Sequence, residues 1–265
     1  MINEICSVIE KIRNQKPLIH HLTNYVTAND SANITLAIGA SPVMASEILE
    51  VEEMAAHASA LVINIGTLNA PTVEAMIVAG KKAQSLGIPI IFDPVGVGAT
   101  SYRTAVAERI IREVKPTIIR GNMSEIKLLS GISAAIKGVD SVADETNGEN
   151  IAIKLSQKLN CVIAVTGKTD IIVDGNKVCR IDNGDIMLTN VTGTGCMSSS
   201  LVGSCAAVAN PFVGAVTGIA MMGIAGELAS SGLKPDEGIG SFRIRLFDAI
   251  YNLSGEILRD KIRLS

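Results

Sequence analysis

The chain has 265 residues, of which 48% are hydrophobic and 18% charged, and its formal net charge is −3. That length fits one large α/β domain or two small ones, and the apolar share is ample for a sizeable core. A net acidic chain lacks the basic face that replaces phosphate counterions, so no nucleic-acid partner is expected, although a helix N-terminus can hold a phosphate on an acidic protein. Aromatic residues make up only 3% and Trp is absent, so the core is built from small aliphatic side chains.

Residues 1–13 carry Glu4, Glu10, Lys11 and Arg13 around an apolar stripe of Ile5, Val8, Ile9 and Ile12. With no uninterrupted apolar run behind it, this segment reads as an amphipathic helix and not a signal peptide. Short apolar runs then alternate with helix-length segments, the pattern of α/β layering. The runs 18–21, 60–65, 88–92, 117–120, 161–165 and 171–173 are expected strands. Asp174-Gly175-Asn176 is a turn signal, so 171–173 and 177–181 form an antiparallel hairpin at the edge of a mostly parallel sheet. Helices are expected over 27–38, 51–58, 71–86, 101–114, 124–129 and 147–159, with two or three more after Gly195. Pro71 is a first-turn proline and Gly87 a stop signal. No linker or repeat interrupts the chain, which reads as one domain over 1–265, and the polar segment 132–150 is expected as a surface excursion.

From Met197 to Gly226 there is no charged residue, a length that could span a bilayer. Asn210-Pro211 divides it into two shorter helices, six Ser, Asn and Thr residues dilute it, and its glycines suit close packing. Buried core helices, with no membrane partner, are the expectation. Five cysteines (Cys6, Cys161, Cys179, Cys196 and Cys205) form no C-x-x-C pair, which fits reduced thiols in a cytoplasmic protein.

Thr192-Gly193-Thr194-Gly195-Cys196 stands directly before that charge-free segment. Glycines let the backbone turn tightly, and the amides opening a helix converge on one point with the positive end of its dipole. Such a nest suits a phosphoryl group, although a glycine turn permitting close helix packing would carry the same signature. It is neither a Walker A loop nor a dinucleotide fingerprint, since Lys-Ser/Thr and the third glycine are missing. Polar residues also end several strands: Asp93-Pro94-Val95-Gly96, Arg120-Gly121-Asn122-Met123-Ser124-Glu125 with its N-x-x-E, and Thr166-Gly167-Lys168.

These motifs in this order resemble the ribokinase-like kinases of vitamin metabolism. Within that group, Cys196 together with His20-His21-Leu22-Thr23-Asn24 and Ser41-Pro42-Val43-Met44 resembles the hydroxyethylthiazole kinase family, collinearly over essentially the whole chain. The resemblance implies a three-layer sandwich with helices on both faces of the sheet. It implies ATP-dependent phosphorylation of the primary hydroxyl of 4-methyl-5-(2-hydroxyethyl)thiazole for thiamin synthesis, and a homotrimer whose sites are shared between subunits.

By the same resemblance, amides of Gly193, Thr194, Gly195 and Cys196 hold the transferring phosphoryl group, and Arg120 and Thr166 contact ATP phosphates. Asn122 either ties the N-x-x-E turn or contacts the nucleotide, whose adenine is expected in an apolar slot around Ala220, Met221 and Ala225. Met44, Gly193 and Asn24 face the thiazole. Asp93 and Glu125 are hard-oxygen groups suited to Mg²⁺ or its waters, a role that the surrounding motif favours over helix capping or an ordinary salt bridge. Cys196 occupies the position where most ribokinase-like enzymes have an aspartate base. The helix start favours its thiolate, bound ATP opposes it, and it is expected to orient or weakly assist the acceptor. Of His20 and His21, which point to opposite faces of a strand, at most one can face the site. Other readings are a hydroxymethylpyrimidine or sugar kinase, an ATP-dependent dehydratase of hydrated nicotinamide cofactors, and a non-catalytic thiazole or nucleotide sensor.

Overall fold

The computed structural model describes residues 1–131 and 145–265, so the expected excursion lies, over residues 132–144, outside the described residues. In chain order the elements are α1 (Ile2–Gln15), β1 (Leu18–Leu22), α2 (Ala28–Ile38), β2 (Ser41–Val43), α3 (Val51–His57), β3 (Ala60–Asn64), α4 (Ala70–Ser85), β4 (Ile90–Asp93) and α5 (Ser101–Val114). There follow β5 (Ile118–Asn122), α6 (Met123–Leu129), α7 (Glu145–Leu159), β6 (Val162–Thr166), β7 (Asp170–Asp174), β8 (Lys177–Ile181), α8 (Thr194–Ala206), α9 (Pro211–Ser231), α10 (Ile239–Asn252) and α11 (Gly255–Lys261). A short 3-10 turn, Ile186–Asn190, precedes α8.

One eight-stranded sheet runs in the order β2-β1-β3-β4-β5-β6-β7-β8. Its first six strands are parallel, and β7 and β8 pair antiparallel at the far edge. The hairpin at Asp174-Gly175-Asn176 is therefore where the turn signal puts it. The chain end extends that edge, since Ile181 bridges Leu264. Two differences from the sequence reading stand out. Residues 41–43 form an edge strand, too short and proline-bearing to be recognised from periodicity. Four helices follow Gly195, where two or three were expected.

The central strands are apolar on both faces because both faces are covered. Along β3, Ala60 and Val62 enter the core under α1, α2, α8 and α9, while Leu61 and Ile63 enter the core under α4 and α5. The charge-free segment forms α8 and α9, divided at Asn210-Pro211 as expected, with the Asn210 side chain capping the second helix at Val213 N. α9 is long and apolar enough to cross a membrane, yet 89% of its most apolar window is buried inside the protein. Small residues make this possible. A Cβ on Gly218 would lie 2.6 Å from the Val202 backbone, so α8 and α9 approach closely only with glycine there.

His20 and His21 do face opposite ways from β1. The His20 Nε2 meets the Ala45 carbonyl at 2.7 Å and so pins the chain just after Met44. His21 lies 3.3 Å from Thr35 Oγ1, whose own proton goes to the Ser31 carbonyl. The His21 Nε2 therefore donates, and its Nδ1 is left buried without a partner. Burial, and then the neighbouring His20, lower the His21 pKa to about 3. Because unfolded His21 binds its proton near the ordinary value of 6.5, the unfolded state holds more protons between that pH and about 3. Its contribution is complete above that window and declines as pH falls, with a slope approaching ~1.4 kcal/mol per pH unit. Urea midpoints between pH 7.5 and pH 5 should fall for the wild type and fall less for His21→Leu; parallel curves would refute this assignment.

Candidate active site

The polar strand ends converge because the strands are parallel and in register. Asn64 pairs with Asp93 across β3 and β4, and Asn122 pairs with Thr166 across β5 and β6. In an open α/β sheet these carboxyl ends form the crevice in which ligands bind. The start of α8 closes the crevice from one side.

Asp93 is fully buried. Its Oδ2 accepts hydrogen bonds from Asn64 Nδ2 at 2.9 Å and Ser199 Oγ at 2.8 Å, with Arg120 Nη1 at 3.7 Å. Its Oδ1 has no partner. Burial raises the Asp93 pKa to about 6, against the opposing pull of Arg120 and Ser199.

Arg120 lies over the turn that opens α8. A Cβ on Gly195 would sit 2.9 Å from Arg120 Nη1, so the guanidinium lies close over the helix start at a residue with no side chain. Gly193 adopts φ +90°, and a Cβ there would meet Thr27 Cγ2 at 2.8 Å. Glycine is thus favoured at 193 by backbone conformation, whereas at 195 a side chain would displace the tip of Arg120. Thr194 Oγ1 donates to the Leu188 carbonyl at 2.8 Å, tying the loop to the 3-10 turn. The first amides of α8 have no intrahelical acceptor.

Arg120, Thr166, Thr194 and Gly195 line a cavity of about 630 Å³ together with Lys168, Asp170 and an apolar wall of Ile186, Leu188, Ile219 and Met222. The three residues expected around the adenine do not line this cavity. Ala220, Met221 and Ala225 are fully buried in the core, whereas Ile219, Met222 and Gly223 are the α9 residues on the cavity side.

Glu125 works as a brace. Its Oε1 accepts from Gly96 N at 2.9 Å and its Oε2 from Asn122 N at 2.8 Å, while Asn122 Oδ1 accepts from Glu125 N at 3.0 Å. The last two bonds form a capping box at the start of α6, and the first ties the loop after β4 to it. Asn122 therefore does tie the N-x-x-E turn. Glu125 also acts on Asp93 as a nearby negative charge that raises its pKa.

The Cys196 sulfur receives hydrogen bonds from Asn64 Nδ2 at 3.2 Å and Asn24 Nδ2 at 3.3 Å. Burial and then the Asp93 charge push the thiol pKa up, overcoming the hydrogen bonds from Asn24 and Asn64 that pull the other way. The ease of ionisation that a helix start suggests is not realised, because burial and the Asp93 charge outweigh the favourable hydrogen bonds. Asn24 is buried and committed within the protein: it also donates to Asn64 Oδ1 and accepts from Thr27 N. Met44 is half-buried after β2.

Two members of this cluster escaped the sequence reading. No motif singles out Asn64, and its signal was its register beside Asp93. Ser199 registered only as a break in hydrophobicity, although it follows Cys196 by three residues and so shares its helix face.

The sheet order, with helices on both faces and a crevice at the start of α8, is the ribokinase-like fold. A ribokinase-like superfamily protein from Enterococcus faecalis shares this fold with a TM-score of 0.63 over 90% of this chain and 87% of its own, at 11% identity. The profile of the hydroxyethylthiazole kinase family matches residues 9–256. A hydroxyethylthiazole kinase from Alkaliphilus oremlandii is 52% identical over 98% of this chain and 96% of its own length. The solved structure of the hydroxyethylthiazole kinase protein from Pyrococcus horikoshii OT3 superposes with a TM-score of 0.90, at 36% identity over 99% of this chain and 98% of that one. The chain belongs to the hydroxyethylthiazole kinase family.

The brace predicts its own cost of removal. Glu125→Ala leaves Asn122 N and Gly96 N without their acceptors, and stability should drop by about 1–2 kcal/mol. Urea denaturation measures it, and an unchanged midpoint would show that the capping box is not holding the turn.

Proposed function

We propose that this chain transfers the γ-phosphoryl group of ATP to the hydroxyl of 4-methyl-5-(2-hydroxyethyl)thiazole, supplying thiazole phosphate for thiamin synthesis in the cytoplasm. The observation that carries the reading is the meeting of Arg120, Asp93 and the α8 start at one crevice, with the Cys196 thiol beside Asp93. Phosphoryl transfer needs positioning and charge stabilisation more than covalent chemistry, and this crevice offers both.

In this reading the nucleotide lies in the cavity beside α9. Arg120 and Thr166 hold its phosphates, Asn122 keeps the neighbouring turn in shape, and amides of Gly193, Thr194 and Gly195 receive the phosphoryl group in transit. The guanidinium fork of Arg120, with its Nε buried and unpartnered, retains donors for an anion. The acceptor lies beyond Gly193, near Asn24 and Met44, with its hydroxyl toward Cys196.

Mg²⁺ fits the residues present. The buried Asp93 Oδ1 is a hard oxygen without a hydrogen-bond partner, and the braced Glu125 keeps lone pairs for an ordered water. Among the described residues no three His, Cys, Asp or Glu side chains cluster as a metal cage, which suits an ion bound largely by phosphates and water. When bound, Mg²⁺ supplies neutralisation of phosphate charge. Arg120 contributes the same at the protein's own expense, because it also steadies the buried Asp93.

The raised thiol pKa supports Cys196 as an orienting group and weak assistant, not an indispensable base. A loose transition state needs little deprotonation of the acceptor. With Mg-ATP, phosphorylation should be confined to hydroxyethylthiazole in a panel that includes hydroxymethylpyrimidine, ribose and pyridoxal. ATP turnover indifferent to the thiazole would favour a dehydratase, and binding without turnover a sensor. In the same assay Cys196→Ser should keep measurable turnover, reduced by about 10- to 100-fold. Complete loss in both folded Cys196→Ser and Cys196→Asp would make the thiol essential and overturn the weak-assistant view.

The acceptor side also supports a homotrimer with shared sites. Tyr25 is 82% exposed and Leu49 92% exposed, with Val26 and Ile48 also exposed, and they stand in the same two segments as Asn24 and Met44. Apolar surface there suits burial by a neighbouring subunit. Light scattering should give three chains per particle; a monomer active at full rate would exclude shared sites.

A further inference from the structure

Asn64 is the last residue of β3 and is 1% exposed. Its carboxamide is fully engaged. Nδ2 donates to Asp93 Oδ2 at 2.9 Å and to Cys196 Sγ at 3.2 Å. Oδ1 accepts from Asn24 Nδ2 and from Gly66 N, each at 2.9 Å. An amide offers two N–H donors and two good acceptor lone pairs, so nothing is left over for water or substrate. The orientation is determined by its neighbours, because a flipped amide would aim an oxygen at the Asp93 carboxylate and a donor at two other donors.

We infer that Asn64 is a positioning residue which holds the acceptor end and the phosphate end of the reaction in one register. This rests on the reading that places the acceptor hydroxyl near Cys196 and the magnesium nucleotide near Asp93. Asn64 contacts no reacting atom and works through those two side chains.

On the phosphate side, Asn64 and Ser199 both occupy Asp93 Oδ2, so the carboxylate is fixed and only its buried Oδ1 is left without a partner. On the acceptor side, Asn64 and Asn24 bond each other and share the Cys196 sulfur, while Asn24 Oδ1 anchors the start of the α2 segment at Thr27 N. The result is one continuous hydrogen-bonded path from β1 through β3 to β4 and α8. A shift of the acceptor relative to the phosphate requires breaking it. Buried networks of this kind are rigid when every member is satisfied and costly when one is removed.

Asn64→Asp keeps the shape and the Oδ1 acceptor but replaces the donating end by an oxygen facing Asp93 and Cys196. Asn64→Ser removes the bridge without adding charge. Both should lower kcat by about 100-fold, the scale of a small misplacement, with KM for ATP and for hydroxyethylthiazole held within about threefold. Asn24→Ala should cost turnover as well, and Asn24→Ala with Asn64→Ser should cost no more than the worse single change, because both sever the same path. Thermal melts establish that each variant is folded. Should the Asp variant fail to fold, the Ser variant decides; failure of both would make Asn64 a folding residue and overturn the inference. Full kcat in a folded Asn64 variant, a loss carried by KM, or additive effects with Asn24 would overturn it too. If Asn24→Ala and Cys196→Ala keep full turnover, the reading of the site itself is wrong. If those two lose turnover while the Asn64 variants do not, only the inference fails.

Discussion

Asp93 carries a carboxylate with no solvent exposure, and much of the surrounding structure is arranged to make that tolerable. An isolated buried charge costs more than a domain can spare, so it needs donors and a counter-charge. Asn64 and Ser199 supply the donors, and Arg120 supplies the charge across a gap too long for a strong hydrogen bond. The compensation is incomplete, as the raised pKa and the unpartnered Oδ1 both show. A buried carboxylate left under-satisfied in this way costs stability, and such groups cluster at functional sites.

The neighbouring elements follow from that choice. Donors can reach Asp93 from β3 because parallel register sets Asn64 beside it, and from α8 because the helix runs directly under the strand ends. A helix in that place is enclosed, so α8 and α9 have no charged residue over nearly their whole length, and serines there satisfy themselves on the preceding turn. Ser200 and Ser204 donate to carbonyls four residues back. The glycines that look like a phosphate loop also serve packing. Gly195 leaves room for the Arg120 guanidinium, and Gly193 takes a left-handed turn against Thr27, which brings the start of the α2 segment to the helix start.

Much of this was legible in the residues before any coordinates. Alternating apolar runs marked seven of the eight strands, the Asp174-Gly175-Asn176 turn marked the antiparallel edge, and Asn210-Pro211 marked the division of the apolar segment. Residues 41–43 stayed hidden because three residues cannot show a period, and their strand exists through pairing with β1. The roles of Glu125 and Cys196 depended on information a motif does not contain. Whether a carboxylate braces a turn or binds an ion is decided by the amides around it, here those of Gly96 and Asn122. Whether a helix-start thiol ionises is decided by burial and by Asp93, a residue 103 positions away in sequence but adjacent in space. Asn64 was invisible for the same reason: its four partners come from four separate segments.

The thiol itself makes physical sense in that setting. A carboxylate at residue 196 would place a second anion beside Asp93 in a buried crevice, and two like charges so close cannot both ionise readily. A thiol with a raised pKa stays neutral at pH 7, so Asp93 can keep its charge for the phosphate side. Sulfur also accepts two long hydrogen bonds from Asn24 and Asn64 without demanding them, which a carboxylate would compete for with Asp93. In the proposed reaction the cost is a weaker proton acceptor at the hydroxyl. A loose phosphoryl-transfer transition state can bear that cost, because the proton need leave only after the new bond is well formed. Geometry then matters more than basicity at this position, and the shared amides that fix the sulfur become the more consequential feature.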